Sequence, residues 1–204
     1  MILEKIEALS ETAFSLTFAD GTVLRCGVRE LSDLALRPGE DYGETALSAI
    51  REACDFYAVR QKAAQLISRQ AMSAGELRRK LTEKGASPEH AEAAAAWLLD
   101  IGAIDEGSYA AMVVRHYAAK GYGRRRVENE LYRHLVPREY WEEALEALPE
   151  ADETLDRLIQ LKLRGMKPDE GQIRKLRDSL CRRGYSWEAV RAAIARNTEY
   201  QDDD

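Results

Sequence analysis

Cysteine is scarce in this chain: 204 residues contain three, Cys26, Cys54 and Cys181. They are far apart in sequence, odd in number and form no CxxC pair. This excludes a disulfide framework and makes a reducing cytoplasm the expectation. Histidine is as rare, and His90, His116 and His134 stand alone, so no metal centre is expected. No apolar run approaches the roughly 20 residues needed to span a bilayer, and the first residues carry no signal-peptide pattern. The chain has no GxxxxGK[ST] loop and no nucleophile elbow. Paired acids such as Glu142 and Glu143 lack the apolar surroundings that would raise a carboxyl into the acid/base range. No catalytic residue and no cofactor is therefore assigned, and the chain is not expected to be an enzyme.

Glycine and proline are also few, 13 and 5, which favours helices. What is abundant is apolar and charged material, 45% and 32% of the residues, enough for one or two packed cores. The net charge of −6 argues against a polyanion partner only if it is spread evenly. It is not. From Glu139 to Asp156 there are eight acidic residues and no basic ones. From Arg157 to Arg191 ten Lys/Arg face four Asp/Glu, and from Ser108 to His134 the count is six against two. Such stripes steer partners even when the mean charge does not.

The start of the chain reads as β-structure. Apolar and β-forming residues flank the Asp20-Gly21 turn signal, predicting a hairpin over about Phe14 to Cys26, with room for a third strand before it. Asp41 to Glu44 has capping-box spacing, and a long helix is expected from near Glu44. The remainder is helical and repeats. Leu77, Leu81, Gly85 and Ala91 recur as Val127, Leu131, Leu135 and Trp141, then as Leu176, Leu180, Gly184 and Val190, at offsets of 50 and 49 residues. The fold expected is mainly α: three tandem three-helix repeats in an elongated curved array, preceded by a small N-terminal β-hairpin and helix. The expected divisions are 1–62 for the hairpin and helix, 63–106, 107–151 and 152–197 for the repeats, and 198–204 for an acidic tail.

The helix ends follow the repeats. Ser73 to Glu76 is a capping box, and Ser87-Pro88-Glu89 is a cap followed by proline. Gly85 and Gly184 stand where the second helix of their repeats must stop, in the left-handed conformation that glycine tolerates. Leu135 has that place in the middle repeat. Because a left-handed Leu costs about 1 kcal/mol, this helix is expected to end another way, helped by Pro137. The third helices are expected over Glu89–Leu99, Glu139–Leu148 and Trp187–Ala195. Trp97, Trp141 and Trp187 are expected in the core with Tyr109 and Tyr117, and His116 near a core face.

The stretch KGYGRRR, Lys120 to Arg126, departs from this pattern. Helix starts carry partial positive charge and favour acids. Glu76, and Asp169 with Glu170, obey; Arg124, Arg125 and Arg126 do the opposite. Glu128 and Glu130 lie four residues on from Arg124 and Arg126 and recover part of the cost, while Arg125 faces Asn129. The arginines therefore read as a surface for phosphates or acidic side chains, reinforced by backbone N–H groups at the helix start, or else as an ordinary solvated charged face. Tyr122, between Gly121 and Gly123, is expected to be exposed. A dinucleotide loop is disfavoured, because a third glycine and a preceding buried strand are missing.

The run Ser73-Ala74-Gly75-Glu76-Leu77-Arg78-Arg79-Lys80-Leu81-Thr82-Glu83-Lys84-Gly85 resembles the bacterial RecX family. So do Trp97 to Ala110, with Leu98, Ile101, Gly102 and Tyr109, and Arg115 followed by Lys120-Gly121-Tyr122-Gly123. The resemblance covers about residues 60–195. Leu135 stands where the family usually has glycine, and Arg124 where it often has proline. The resemblance implies tandem three-helix repeats and a regulator that binds the recombinase RecA or its DNA filament. It implies inhibition of ATP hydrolysis and strand exchange, by lying in the filament groove or blocking extension. The partner-binding residues expected are Arg69, Arg78, Arg79 and Lys84; Arg115, Lys120, Gly121, Tyr122, Gly123, Arg124, Arg125 and Arg126; and Arg174, Lys175, Arg182 and Arg183. A monomer with weak direct DNA contact and no membrane contact is expected. The alternatives are a helical DNA-binding module independent of RecA, which the acidic net charge opposes, and a helical adaptor for another protein.

Overall fold

The structure, a computed structural model, describes residues 1–163 and 168–199. Most of the acidic tail expected at 198–204 lies outside the described residues. The chain divides into two compact units, one of residues 1–71 and 76–104, the other of residues 72–75 and those from 105 onward.

The first unit opens with an antiparallel sheet of order β1-β2-β3, formed by Leu3–Ala8, Ala13–Phe18 and Val23–Gly27. The expected hairpin is β2–β3, and the third strand precedes it. Gly21 turns the hairpin at φ 84°, and the Asp20 carboxylate accepts the Thr22 N–H at 2.9 Å. Helix α1 (Val28–Asp33) leads to α2 (Glu44–Arg69). Leu3, Leu16, Phe18 and Cys26 of the sheet pack with Leu47, Ile50 and Cys54 of α2 in one core. The capping box expected at Asp41 is not formed. Gly43 is the cap residue, and Asp41 instead binds the Met1 amino group at 2.6 Å.

One buried ion pair ties these elements together. Glu30, 7% exposed, pairs with Arg60 and accepts the Gly27 N–H at 3.1 Å. The Arg60 guanidinium lies over the rings of Phe56 and Trp97, 5.3 and 5.5 Å from their centres. Helix α3 (Ala74–Glu83) and α4 (Pro88–Asp100) follow. Ser87 caps α4 as expected, its hydroxyl accepting the His90 N–H at 3.1 Å, with Pro88 in the first turn.

The second unit holds α5 (Glu106–Ala119), α6 (Arg124–Arg133), a 3-10 turn (Arg138–Tyr140), α7 (Trp141–Leu145), α8 (Ala151–Leu163), α9 (Glu170–Arg182) and α10 (Trp187–Glu199). Two cores form within it. Val113, Val114, Val127 and Leu131 anchor one; Leu155, Ile159, Leu176, Leu180 and Val190 anchor the other. The helix expected over Glu139–Leu148 is broken: a 3-10 turn precedes a five-residue α7. Trp141 is half-buried and donates Nε1–H to the Val136 carbonyl at 3.0 Å. Trp187 is not a core residue. It is 46% exposed, with the Arg191 guanidinium 5.0 Å from its ring centre. His116 is exposed on α5 rather than set on a core face, its ring 2.7 Å from Lys120 Nζ.

Helix α6 ends in the left-handed conformation after all. Leu135 has φ 52°, beside 92° at Gly85 and 95° at Gly184. The same closing bond follows each: Ala86, Val136 and Tyr185 N–H donate to the carbonyls of Leu81, Leu131 and Leu180 at 3.0, 3.1 and 3.4 Å. Leu135 fits because it meets a glycine. A Cβ on Gly75 would stand 2.7 Å from both the Leu135 Cβ and its carbonyl oxygen, so only a residue without one leaves space for the leucine.

Candidate functional site

The Lys120–Arg126 stretch joins α5 to α6, and its glycines have separate structural tasks. Gly121 takes φ 72° and closes α5, its N–H donating to the Ala118 carbonyl at 2.8 Å. Gly123 caps α6 with extended backbone, φ −81°. Its reason for being glycine is the α9–α10 turn: a Cβ there would lie 2.7 Å from the Gly184 oxygen. The turn supplies acceptors. Gly123 N–H donates to the Arg183 carbonyl at 2.9 Å and Arg125 N–H to the Gly184 carbonyl at 3.3 Å. Helix starts leave N–H groups without intrahelical partners. Here two that could have faced a ligand are occupied by carbonyls, which also supply negative ends where the helix has no acidic side chain in its first turn. The expected reinforcement of the arginines by free N–H groups at these two positions does not hold.

Tyr122 is half-buried against the first core of this unit, not exposed. The guanidinium groups of Arg126 and Arg183 lie 5.7 and 5.6 Å from its ring centre. Each cation is held a second way. Arg126 pairs with Glu130 at 2.7 Å, and Glu130 is 4% exposed and also meets Arg133 at 3.5 Å. Arg183 donates to the Lys120 and Gly121 carbonyls at 2.8 and 3.4 Å, and the Tyr185 hydroxyl donates to the Gly121 oxygen at 3.3 Å. Burial pushes the Tyr185 phenol up, and burial together with the Glu130 carboxylate does the same to Tyr117. The stretch is therefore a fastener between the α5–α6 and α9–α10 corners. The buried role of Glu130 and the inward use of Arg183 had no signal in sequence beyond the i,i+4 spacing of Arg126 and Glu130.

The other basic residues divide by their partners. In the first unit, Arg78 pairs with Glu92 at 2.8 Å, and Arg79 lies 3.9 and 3.6 Å from Glu76 and Glu83. Arg69 and Lys84 are exposed and have no carboxylate partner among the described residues. In the second unit, Arg124 pairs with Glu128 at 2.9 Å, and Lys120 contacts His116 and lies 5.3 Å from the Tyr117 ring centre. Arg115, Arg125, Arg174, Lys175 and Arg182 are exposed without a carboxylate partner among the described residues. Beside the fastener opens a cleft of about 390 Å³, lined by Tyr122, Arg124 and Arg125 with Leu145, Leu148 and Ala189. Among the described residues, no group of three or more His, Cys, Asp or Glu is placed to hold a metal ion, and no helix is long and apolar enough to cross a membrane.

A helical-repeat protein built on three-helix modules, with a small sheet at its start, is the class these features define. Residues 60–98 match the model of the RecX first three-helix domain, and residues 105–145 that of the second. The protein named Regulatory protein RecX from Xanthomonas axonopodis pv. citri is 39% identical over 136 residues, 65% of this chain and 83% of the relative. Its namesake from Stenotrophomonas maltophilia is 36% identical over 147 residues, 71% and 87% of the two chains. The chain belongs to the RecX family of regulatory proteins. A crystal structure of regulatory protein RecX superposes with TM-score 0.78 at 20% identity, over 95% of this chain and 98% of that one. RecX from Lactobacillus salivarius gives 0.62 at 19% identity, over 70% and 96%. At those identities the two structures speak for the fold.

Proposed function

We propose that the chain regulates RecA without catalysis: it binds RecA, free or in its DNA filament, and lowers ATP hydrolysis and strand exchange. It acts in the cytoplasm as a monomer, and its direct contact with DNA is weak. The supporting observation is the exposed pair Arg124 and Arg125. Helix polarity disfavours them there. Arg124 has only a partly exposed Glu128, and Arg125 no carboxylate partner among the described residues. Two arginines retained at some cost to the helix fit contact with acidic groups of another molecule. In the second unit, the exposed Arg115, Lys120, Arg174, Lys175 and Arg182 are further candidate contacts. Gly121, Tyr122, Gly123, Arg126 and Arg183 support the surface from within.

The test is single-stranded-DNA-dependent ATP hydrolysis by the cognate RecA, with this protein at a few per cent of the RecA concentration. A strong drop is expected, and it would mean action on filament growth more than one-to-one coating. The double variant Arg124→Glu, Arg125→Glu should inhibit far less while keeping the wild-type circular dichroism and melting curve. No inhibition by the wild type even at equimolar concentration would refute the RecA reading.

A further inference from the structure

The exposed face of α6 carries a second feature. Arg125, Asn129 and Tyr132 follow at i, i+4 and i+7, a spacing that sets them along one side of the helix over about 10 Å. Tyr132 is 66% exposed, and Leu135, three residues on, is 40% exposed. The other cations along this line have carboxylate partners: Arg124 pairs with Glu128, and Arg126 and Arg133 share the single carboxylate of Glu130. Arg125 is the cation of α6 with no carboxylate partner among the described residues. A nucleic-acid backbone, with a charge on every phosphate, would use several free cations. On this face of α6 one guanidinium without a carboxylate partner stands in line with an amide and an exposed aromatic ring, a set that suits a protein surface. Arginine and tyrosine are the side chains that dominate such contacts.

We propose that this face of α6 is a protein-recognition surface, taking a carboxylate of the partner at Arg125 and an adjoining apolar hollow at Tyr132 and Leu135, with Asn129 bonding between them. The proposal rests on the RecA reading for its partner. It adds Asn129, Tyr132 and Leu135 to the contact and assigns it to protein rather than DNA.

Tyr132→Ala tests it, because a side chain this exposed can be removed without opening a core. Two titrations are run on wild type and variant: inhibition of RecA hydrolysis on an oligo(dT) filament, and binding to the same fluorescein-labelled oligo(dT) without RecA. The variant is expected to need about tenfold more protein for half-inhibition, the size of effect seen at interface hot spots. Its oligo(dT) binding and melting temperature should match wild type. Tyr132→Phe should retain most of the inhibition. Wild-type inhibition that Tyr132→Ala leaves unchanged overturns the face while leaving the RecA reading intact. Equal loss in both titrations reassigns the face to nucleic acid and overturns the protein partner. If wild type does not inhibit, the RecA reading fails, and this assignment of the face with it.

Discussion

Leu135 and Gly184 hold equivalent places in successive repeats and reach similar backbone conformations, φ 52° and 95°, with opposite side chains. The difference lies in what each turn packs against. At Leu135 the neighbouring helix presents Gly75, whose missing Cβ leaves the space. At Gly184 the neighbour is Arg126, and a Cβ on the turn would lie 2.7 Å from the Arg126 Cβ. The first junction is relieved by a glycine on the helix side alone, whereas the second needs Gly184 on the turn and Gly123 ahead of α6, because a Cβ on either would meet the other segment. Gly75→Ala should therefore destabilise by about 1–3 kcal/mol, the usual cost of overpacking. Leu135→Gly should recover part of that loss in the double variant, by removing one of the two clashes, and relieve about 1 kcal/mol of left-handed strain. Urea unfolding of the two single variants and the double variant measures both. Equal losses in Gly75→Ala with and without Leu135→Gly would mean that the leucine side chain is not what excludes the methyl.

At the scale of the element, periodicity was legible and contacts across elements were not. The positions Leu77, Leu81, Val127, Leu131, Leu176 and Leu180, spaced at four residues, are all buried, because that spacing alone puts a side chain on one face of a helix. Asp41 is not a cap because α2 begins three residues on, at Glu44, and the Asp41 carboxylate binds the Met1 amino group, 40 residues away in sequence. Tyr122 failed as an exposed residue because Arg183 comes from a helix end some sixty residues on. The cysteines illustrate the same limit. Cys26 on β3 and Cys54 on α2 are 0% and 4% exposed in one core, and the neighbouring Cys26 thiol together with burial pushes the Cys54 thiol up. A thiol must also be reached by its reagent. Native iodoacetamide treatment should accordingly label the partly exposed Cys181 first and leave Cys26 and Cys54 intact until the chain is unfolded. Peptide mass spectrometry reads this. Labelling of Cys26 as fast as Cys181 would show that the sheet opens from α2 under native conditions.

At the scale of the whole molecule, the charge stripes were legible, but their division into internal and outward cations was not. The sequence places Arg126 and Arg183 in the same basic runs as Arg125 and Arg182. Only the fold brings the first two onto Tyr122 and leaves the other two in solvent. This division bears on cooperativity. In repeat proteins stability is roughly a sum of repeat and nearest-neighbour terms. The term joining the two cores of the second unit includes the Arg183 side chain, its bonds to the Lys120 and Gly121 carbonyls and its stacking on Tyr122. Hydrogen bonds from a charged donor are worth about 1.5–3 kcal/mol, and a cation–π contact at a partly exposed site adds about 0.5–1 kcal/mol. Arg183→Ala removes these while leaving the backbone bonds of the junction, Gly123 N–H to the residue 183 carbonyl and Arg125 N–H to the Gly184 carbonyl, chemically possible. Hydrogen exchange read by mass spectrometry should then rise in 118–127, on the far side of the junction from the substitution, as well as in 180–187. If the rise stays within α9 and α10, the two corners exchange independently, and the arginine–tyrosine stack does not couple them.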